Sequence, residues 1–143
     1  MFKEKPPVWF WVAGVVLLLW GIVGVVGFQM DVAMTPADLA KMSAYDRGLY
    51  TGRPSWLVAT YGVAVWTGLI GTVLLLLRQR WARTLYILSL VAVVVMFGWT
   101  FATTDIIAVK GVLVAAGFPV VIALIAAFEI WLAGVARRRG WIG

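Results

Sequence analysis

The chain contains no cysteine and no histidine. Those absences exclude thiol nucleophiles, disulfides, imidazole bases, His/Cys zinc sites and His-ligated haem. Charge is scarce as well: 13% of residues are Asp, Glu, Lys or Arg, where a soluble domain carries about 25%. Hydrophobic residues make up 64% of the chain, so water is not the main solvent this composition anticipates. From so thin a polar inventory no nucleophile, base and orienting group can be assembled. The expectation is a non-enzymatic protein with no catalytic residue, no metal and no cofactor.

What the chain does have is four long apolar runs: Val8 to Phe28, Trp56 to Leu77, about Leu85 to Phe101, and about Ile106 to Ala136. A hydrocarbon core of ~30 Å needs roughly 20 helical residues, so three runs fit with little slack and the fourth is over-long. Residues 1–143 are therefore read as one transmembrane domain, an all-α bundle of four transmembrane helices with an outer loop at 29–55 and no soluble catalytic domain at either end. Lys3, Lys5, Arg78, Arg80, Arg83, Arg137, Arg138 and Arg139 fall at the N-terminus, the second loop and the C-terminus, which share one side if there are four crossings. Lys41, Arg47, Arg53 and Lys110 fall on the other side, together with Asp31, Asp38, Asp46 and Asp105. Basic residues in short loops mark the cytoplasmic face, so the distribution places both termini in the cytoplasm and explains the basic excess without nucleic acid. Residues 1–5 and the run behind them begin like a secretory signal. That run is longer than a signal's apolar core, and no small-x-small cleavage site follows at Phe28-Gln29-Met30, so the first span is read as a retained anchor.

Local signals place the helix ends and the packing faces. Pro6 and Pro7 suit a helix start, where a missing amide proton costs nothing. Gly14, Gly21, Gly24 and Gly27 form a small-residue stripe on the first span. Ala64, Gly68 and Gly71, with Thr60, form another on the second. Such stripes let helices approach closely. Thr35-Pro36-Ala37-Asp38 has the pattern of a capping box and predicts a short surface helix, whereas Tyr45 to Pro54 reads as turn-rich. Ser55 suits an N-cap for the second span, and Asp105 one for the fourth. The short connection Arg78 to Arg83 requires spans two and three to be antiparallel neighbours. Lys110 is placed to snorkel to the outer surface, and Pro119 predicts a kink in the fourth span.

Three groups of residues are candidates for function. Glu129 is the one acid inside a predicted span, ~12 Å from Arg137 along the helix. An ionised carboxylate at that depth costs roughly 2.5–3.5 kcal/mol, so it should face protein or water. Thr72 and Ser89 reach a similar height and would complete one polar layer. That layer is either a proton-exchanging or cation-coupling site, or a structural Glu, protonated or paired with Arg78, Arg80, Arg137 or Arg138. Trp20 and Trp66 lie near the midplane, away from the interfacial Trp residues, and serve either as the stacking walls of a ligand pocket or as packing bulk against the glycines. Tyr45, Arg47, Tyr50 and Arg53 of the outer loop either contact a carbohydrate or partner protein, or anchor the loop to lipid headgroups.

Trp11-Val12-Ala13-Gly14, Leu18-Leu19-Trp20, Pro54-Ser55-Trp56, Gly71 with Leu74 to Arg78, Ser89-Leu90 and Gly140-Trp141 together resemble short bacterial membrane proteins often labelled "sugar transporter", over nearly the whole length. The resemblance implies four spans and a bacterial inner-membrane location, and it transfers no catalytic residue. Members of that family usually have Asn after the Leu-Trp pair, where this chain has Gly21. The functional expectation is an accessory or structural subunit, bound to lipids and to other transmembrane subunits or copies of itself within a larger membrane complex. The alternative is a proton-coupled, sugar-like solute transporter working as an oligomer with Glu129 as coupling group.

Overall fold

The structure, a computed structural model, describes residues 5–143; Lys3, counted above among the basic residues, lies outside them. All regular structure among the described residues is helical: α1 Val8–Val32, α2 Pro36–Ala40, α3 Ala44–Thr51, α4 Ser55–Leu76, α5 Ala82–Thr103, α6 Ile106–Lys110 and α7 Val112–Arg138. Helices α1, α4, α5 and α7 are long and apolar enough to cross a membrane, the make-up of a multi-pass membrane protein. Their outward faces are covered with Val, Leu, Ile and Trp side chains, which suit lipid and not water.

The bundle is strung in chain order, with α1 packed on α4, α4 on α5, and α5 on α7. Helix α7 returns to α1 where Trp20 meets Phe118 edge-on at 6.3 Å. Close approach of α1 to α4 depends on the glycine stripe. A Cβ at Gly21 would sit 3.2 Å from the Leu69 Cα, and one at Gly14 would strike the Leu76 side chain. Gly71 makes the same provision for α5, since a Cβ there would lie 3.0 Å from the Tyr86 ring. Without a hydrophobic drive between helices in lipid, this backbone-level fit supplies the packing contact.

At the end carrying both termini, Phe10, Leu17, Leu75, Tyr86, Leu132, Ala133, Trp141 and Ile142 form a buried layer. Two helix ends shape it. After α4, the Gln79 amide donates to the Leu74 carbonyl and the Arg78 amide to Leu75, a Schellman closure that puts Arg78 at φ 61°. After α7 the same closure uses Gly140 at φ 75°, with the Trp141 amide donating to Ala136 and the Gly140 amide to Arg137. The tail then lies against the α4–α5 turn: the Gly143 amide donates to the Arg78 carbonyl, the Arg80 amide donates to Gly143, and Arg78 Nε donates to the Trp141 carbonyl at 2.6 Å. Trp141 is buried in contact with Trp9 and Phe10.

Several local expectations need correction. The fourth run is not one helix: Gly111, at φ 85° and ψ 156°, breaks it into α6 and α7 in a backbone conformation open essentially to Gly alone. Asp105 makes no side-chain cap and instead accepts a hydrogen bond from the Tyr45 hydroxyl at 2.7 Å. Ser55 is the first residue of α4, not its cap, which is Pro54. The turn-rich stretch after Ser43 contains α3, started by the Ser43 hydroxyl accepting from the Asp46 amide. Pro119 lies inside α7, where the sequence placed it within the fourth span. The capping box at Thr35 and Asp38 is formed in both directions.

Candidate functional site

Between the four long helices, above the buried layer at the termini end, lies a cavity of about 260 Å³. Helix α1 contributes Trp20, Gly21, Gly24 and Gly27. Helix α4 contributes Tyr61, Ala64, Val65 and Gly68, and α5 contributes Ser89 and Val93. Helix α7 contributes Phe118, Ile122, Ala126 and Glu129. The space exists because glycine and alanine, not larger residues, stand where three helices face one another. The same residue types that permit close contact of α1 with α4 leave room where the helices diverge.

Glu129 reaches this cavity from an alanine-rich face of α7 that also carries Ala126, Leu132, Ala133 and Ala136, all buried. The residue is only 4% exposed, yet its side chain has no hydrogen bond and no ion pair among the described residues. The Arg-paired alternative is therefore overturned. Among the described residues, the ion pairs are Arg53 with Asp31 at 2.9 Å and Lys110 with Asp46 at 2.5 Å, both at the loop end. Arg78 donates to the Trp141 carbonyl, Arg80 lies over the Trp81 ring, and Arg138 folds back along α7 to Gly134, more than one turn from Glu129. A carboxyl group in such surroundings needs a proton or a cation to offset its charge.

The expected three-residue polar layer is not formed. Ser89 does share the cavity with Glu129, its hydroxyl donating to the Ala64 carbonyl at 2.7 Å. Thr72 is turned away and pairs with the Tyr86 hydroxyl at 2.7 Å while bonding back to the Gly68 carbonyl. Trp20 lines the cavity, but Trp66 does not: it is 42% exposed on the outer surface. Two residues beyond Ala64 and two before Gly68, Trp66 is turned ~200° from the inward face of α4, so equal height did not mean a shared site. Gly14, Gly21, Gly24, Ala64, Gly68 and Gly71 all lie at helix contacts. An Asn in place of Gly21 would press its Cβ on the α4 backbone.

Tyr61 is the cavity residue that sequence reasoning passed over. Its spacing to Ala64 and Gly68, i, i+3 and i+7, places it on the same helical face. Its ring packs edge-on against Phe28 at 5.0 Å and closes the cavity toward the loop end.

The outer-loop residues are engaged within the chain. Arg47 donates to the carbonyls of Leu39, Ala40 and Met42, closing α2 against α3. The Tyr50 hydroxyl donates to the Asp31 carbonyl at 2.6 Å, and Arg53 pairs with Asp31 while lying over the Tyr50 ring. Tyr45 holds Asp105, its phenol pushed up to about 12 by desolvation and by the Asp105 carboxylate, so it remains a donor at ordinary pH. Lys110 pairs with Asp46 instead of snorkelling freely. These contacts tie the loop to the ends of α1, α5 and α6.

Comparison with known protein families, with curated proteins and with solved structures finds no match for this chain.

Proposed function

We propose that the chain is a small-solute transporter of the bacterial inner membrane, both termini cytoplasmic, in which the cavity holds the solute and Glu129 exchanges it for a proton. One observation carries the reading: a buried carboxyl group, with no partner among the described residues, faces a cavity inside a transmembrane bundle. Intramembrane acids are expensive and are retained mainly where ions, protons or substrates are handled. A structural Glu would be expected to close on a hydroxyl or a guanidinium. Here the Ser89 hydroxyl, which shares the cavity, donates its hydrogen to the Ala64 carbonyl instead. The Glu129→Gln variant, reconstituted in proteoliposomes, should lose solute uptake driven by a pH gradient, whereas wild type shows it across a panel running from sugars to amines. Flux equal in the two proteins would remove Glu129 from the mechanism.

A second reading, an accessory subunit within a larger membrane complex, is favoured by the buried layer beneath Glu129. That layer closes the cavity from the termini end, so one chain in this conformation offers no path across. Transport thus calls for rearrangement within an oligomer, and an accessory role calls for none. Gentle extraction followed by mass measurement separates them: a stoichiometric partner of different sequence supports the subunit, and a species made only of this chain counts against it.

A further inference from the structure

The polar groups that the cavity presents are few. Glu129 supplies a carboxyl, Ser89 a hydroxyl, Tyr61 a phenol and Trp20 an indole N–H; the rest of the lining is Gly, Ala, Val, Ile and Phe. The Ser89 hydrogen is engaged with Ala64, so this hydroxyl offers only acceptor capacity. A sugar brings a hydroxyl on nearly every carbon, and most of them would be buried without partners, which costs affinity. The arrangement suits a ligand with one strongly donating head and an apolar body. Resting on the reading of the cavity as the working site, we infer that it takes a small lipophilic amine, bound as the ammonium ion against Glu129, and not a sugar.

Each part of such a ligand finds a counterpart. The ammonium group donates to the Glu129 carboxylate and to the Ser89 oxygen, forming charge-assisted hydrogen bonds in apolar surroundings. A ring or short alkyl body lies against Trp20 and Phe118, whose faces also attract a cation. From Gly68 to Tyr61 the cavity extends about 10 Å along α4, and its volume falls just under the ~300–1,000 Å³ of ordinary ligand sites. A body of about one ring fits.

Access is from lipid. An apolar groove between α1 and α7, lined by Val16, Leu17, Trp20, Leu124 and Phe128, meets the cavity at Trp20, which borders both. The neutral amine partitions into the bilayer, enters by this seam and takes the proton of the Glu129 carboxylic acid on its nitrogen lone pair. The product is an ammonium–carboxylate pair, with no other atom transferred. Among titratable groups, Tyr61 of α4 shares the cavity with Glu129, while Tyr86 of α5 belongs to the buried layer and turns its hydroxyl to Thr72. Arg83 of α5 and Arg138 of α7 itself both approach Gly134, more than one turn further toward the termini end, and α1 brings no charged group to the cavity.

Calorimetric titration of the full chain in lipid nanodiscs, with empty nanodiscs as reference, tests the assignment using phenethylamine, phenethyl alcohol and glucose. Phenethylamine should bind saturably, with the alcohol weaker by on the order of tenfold or more and glucose giving no binding heat. Glu129→Gln should weaken the amine by a similar factor and leave the alcohol unchanged. Ala126→Leu, which keeps the carboxyl group but fills the cavity, should abolish amine binding at unchanged helix content, and it decides the matter if the Gln variant fails to fold. Equal affinity for amine and alcohol, amine binding unaffected by either substitution, or preferential binding of glucose would overturn the inference. Amine binding without pH-driven flux would defeat the transport reading alone, and glucose flux without amine binding would defeat the ligand class alone.

Discussion

At Gly21 the distance between two helices depends on a missing methyl group. A Cβ there would be 3.2 Å from the Leu69 Cα, and backbone has no rotamer with which to yield. Gly24, one turn on, would meet Val65 at an ordinary 3.5 Å. Gly21→Leu should therefore destabilise the bundle by about 1–3 kcal/mol, while Gly24→Ala should be close to neutral, as thermal melts in detergent will tell. The glycine stripe was legible because small residues at three-, four- and seven-residue spacings, which share a helix face, have one common use in membranes. Glu129 was legible too, as a lone acid on an alanine-rich helical face. Thr72 and Trp66 were misplaced for one reason: counting residues from a helix end gives height along the axis, whereas joining a site also requires the right angle around it. Tyr61 carried that angle in its spacing to Ala64 and Gly68, but no charge drew attention to it.

Among the elements, the loop end is the part whose order comes from specific polar contacts. Asp46, at the start of α3, is held below the usual carboxylate range by its hydrogen bond to Lys110 and then by the Ser43 hydroxyl. A depressed carboxylate contributes stability that is complete above its unfolded value of ~3.9 and is lost as pH falls through the lower folded value. Protection factors for amide exchange in residues 36–51, taken against the intrinsic rate at each pH, should therefore be high at neutral pH and fall in acid, and Asp46→Asn should make them low at both. Protection independent of both acid and substitution would show that the clamp does not hold the loop. Gly111 sets the position of Lys110 for this contact. Gly111→Ala should cost about 1–3 kcal/mol through backbone strain alone, since nothing lies within 4 Å to clash with the new methyl. Helix α2 could be read from its capping box. The break at Gly111 could not, because glycine inside an apolar run is ordinary in membrane helices and its φ is set by how α6 turns into α7. Helix α3 was hidden by turn-forming residues that its Arg47 contacts bring into a helix.

For the whole molecule, the four long helices leave most of their apolar surface outside: 22%, 28%, 22% and 17% of their central windows are buried within the bundle. Lipid or another protein must cover the remainder, and composition alone announced as much. The order of helices around the bundle was legible only for α4 and α5, joined by a short turn. That α1 packs on α4 and that α7 faces α1 across a groove depend on tertiary fit at Gly21 and Trp20, which no periodicity reveals. The cavity is a property of this assembly and of no single helix.

The central claim is that the Glu129 carboxyl is unpartnered and faces a cavity reached from lipid. Its most direct test is chemical. The chain reconstituted in lipid should be treated with a lipophilic carbodiimide, and separately with a water-soluble one, then mapped by mass spectrometry. The lipophilic reagent should modify Glu129 while the water-soluble one spares it, and phenethylamine should slow the modification. Glu129 left unmodified by the lipophilic reagent, or modified equally by both, would contradict the account.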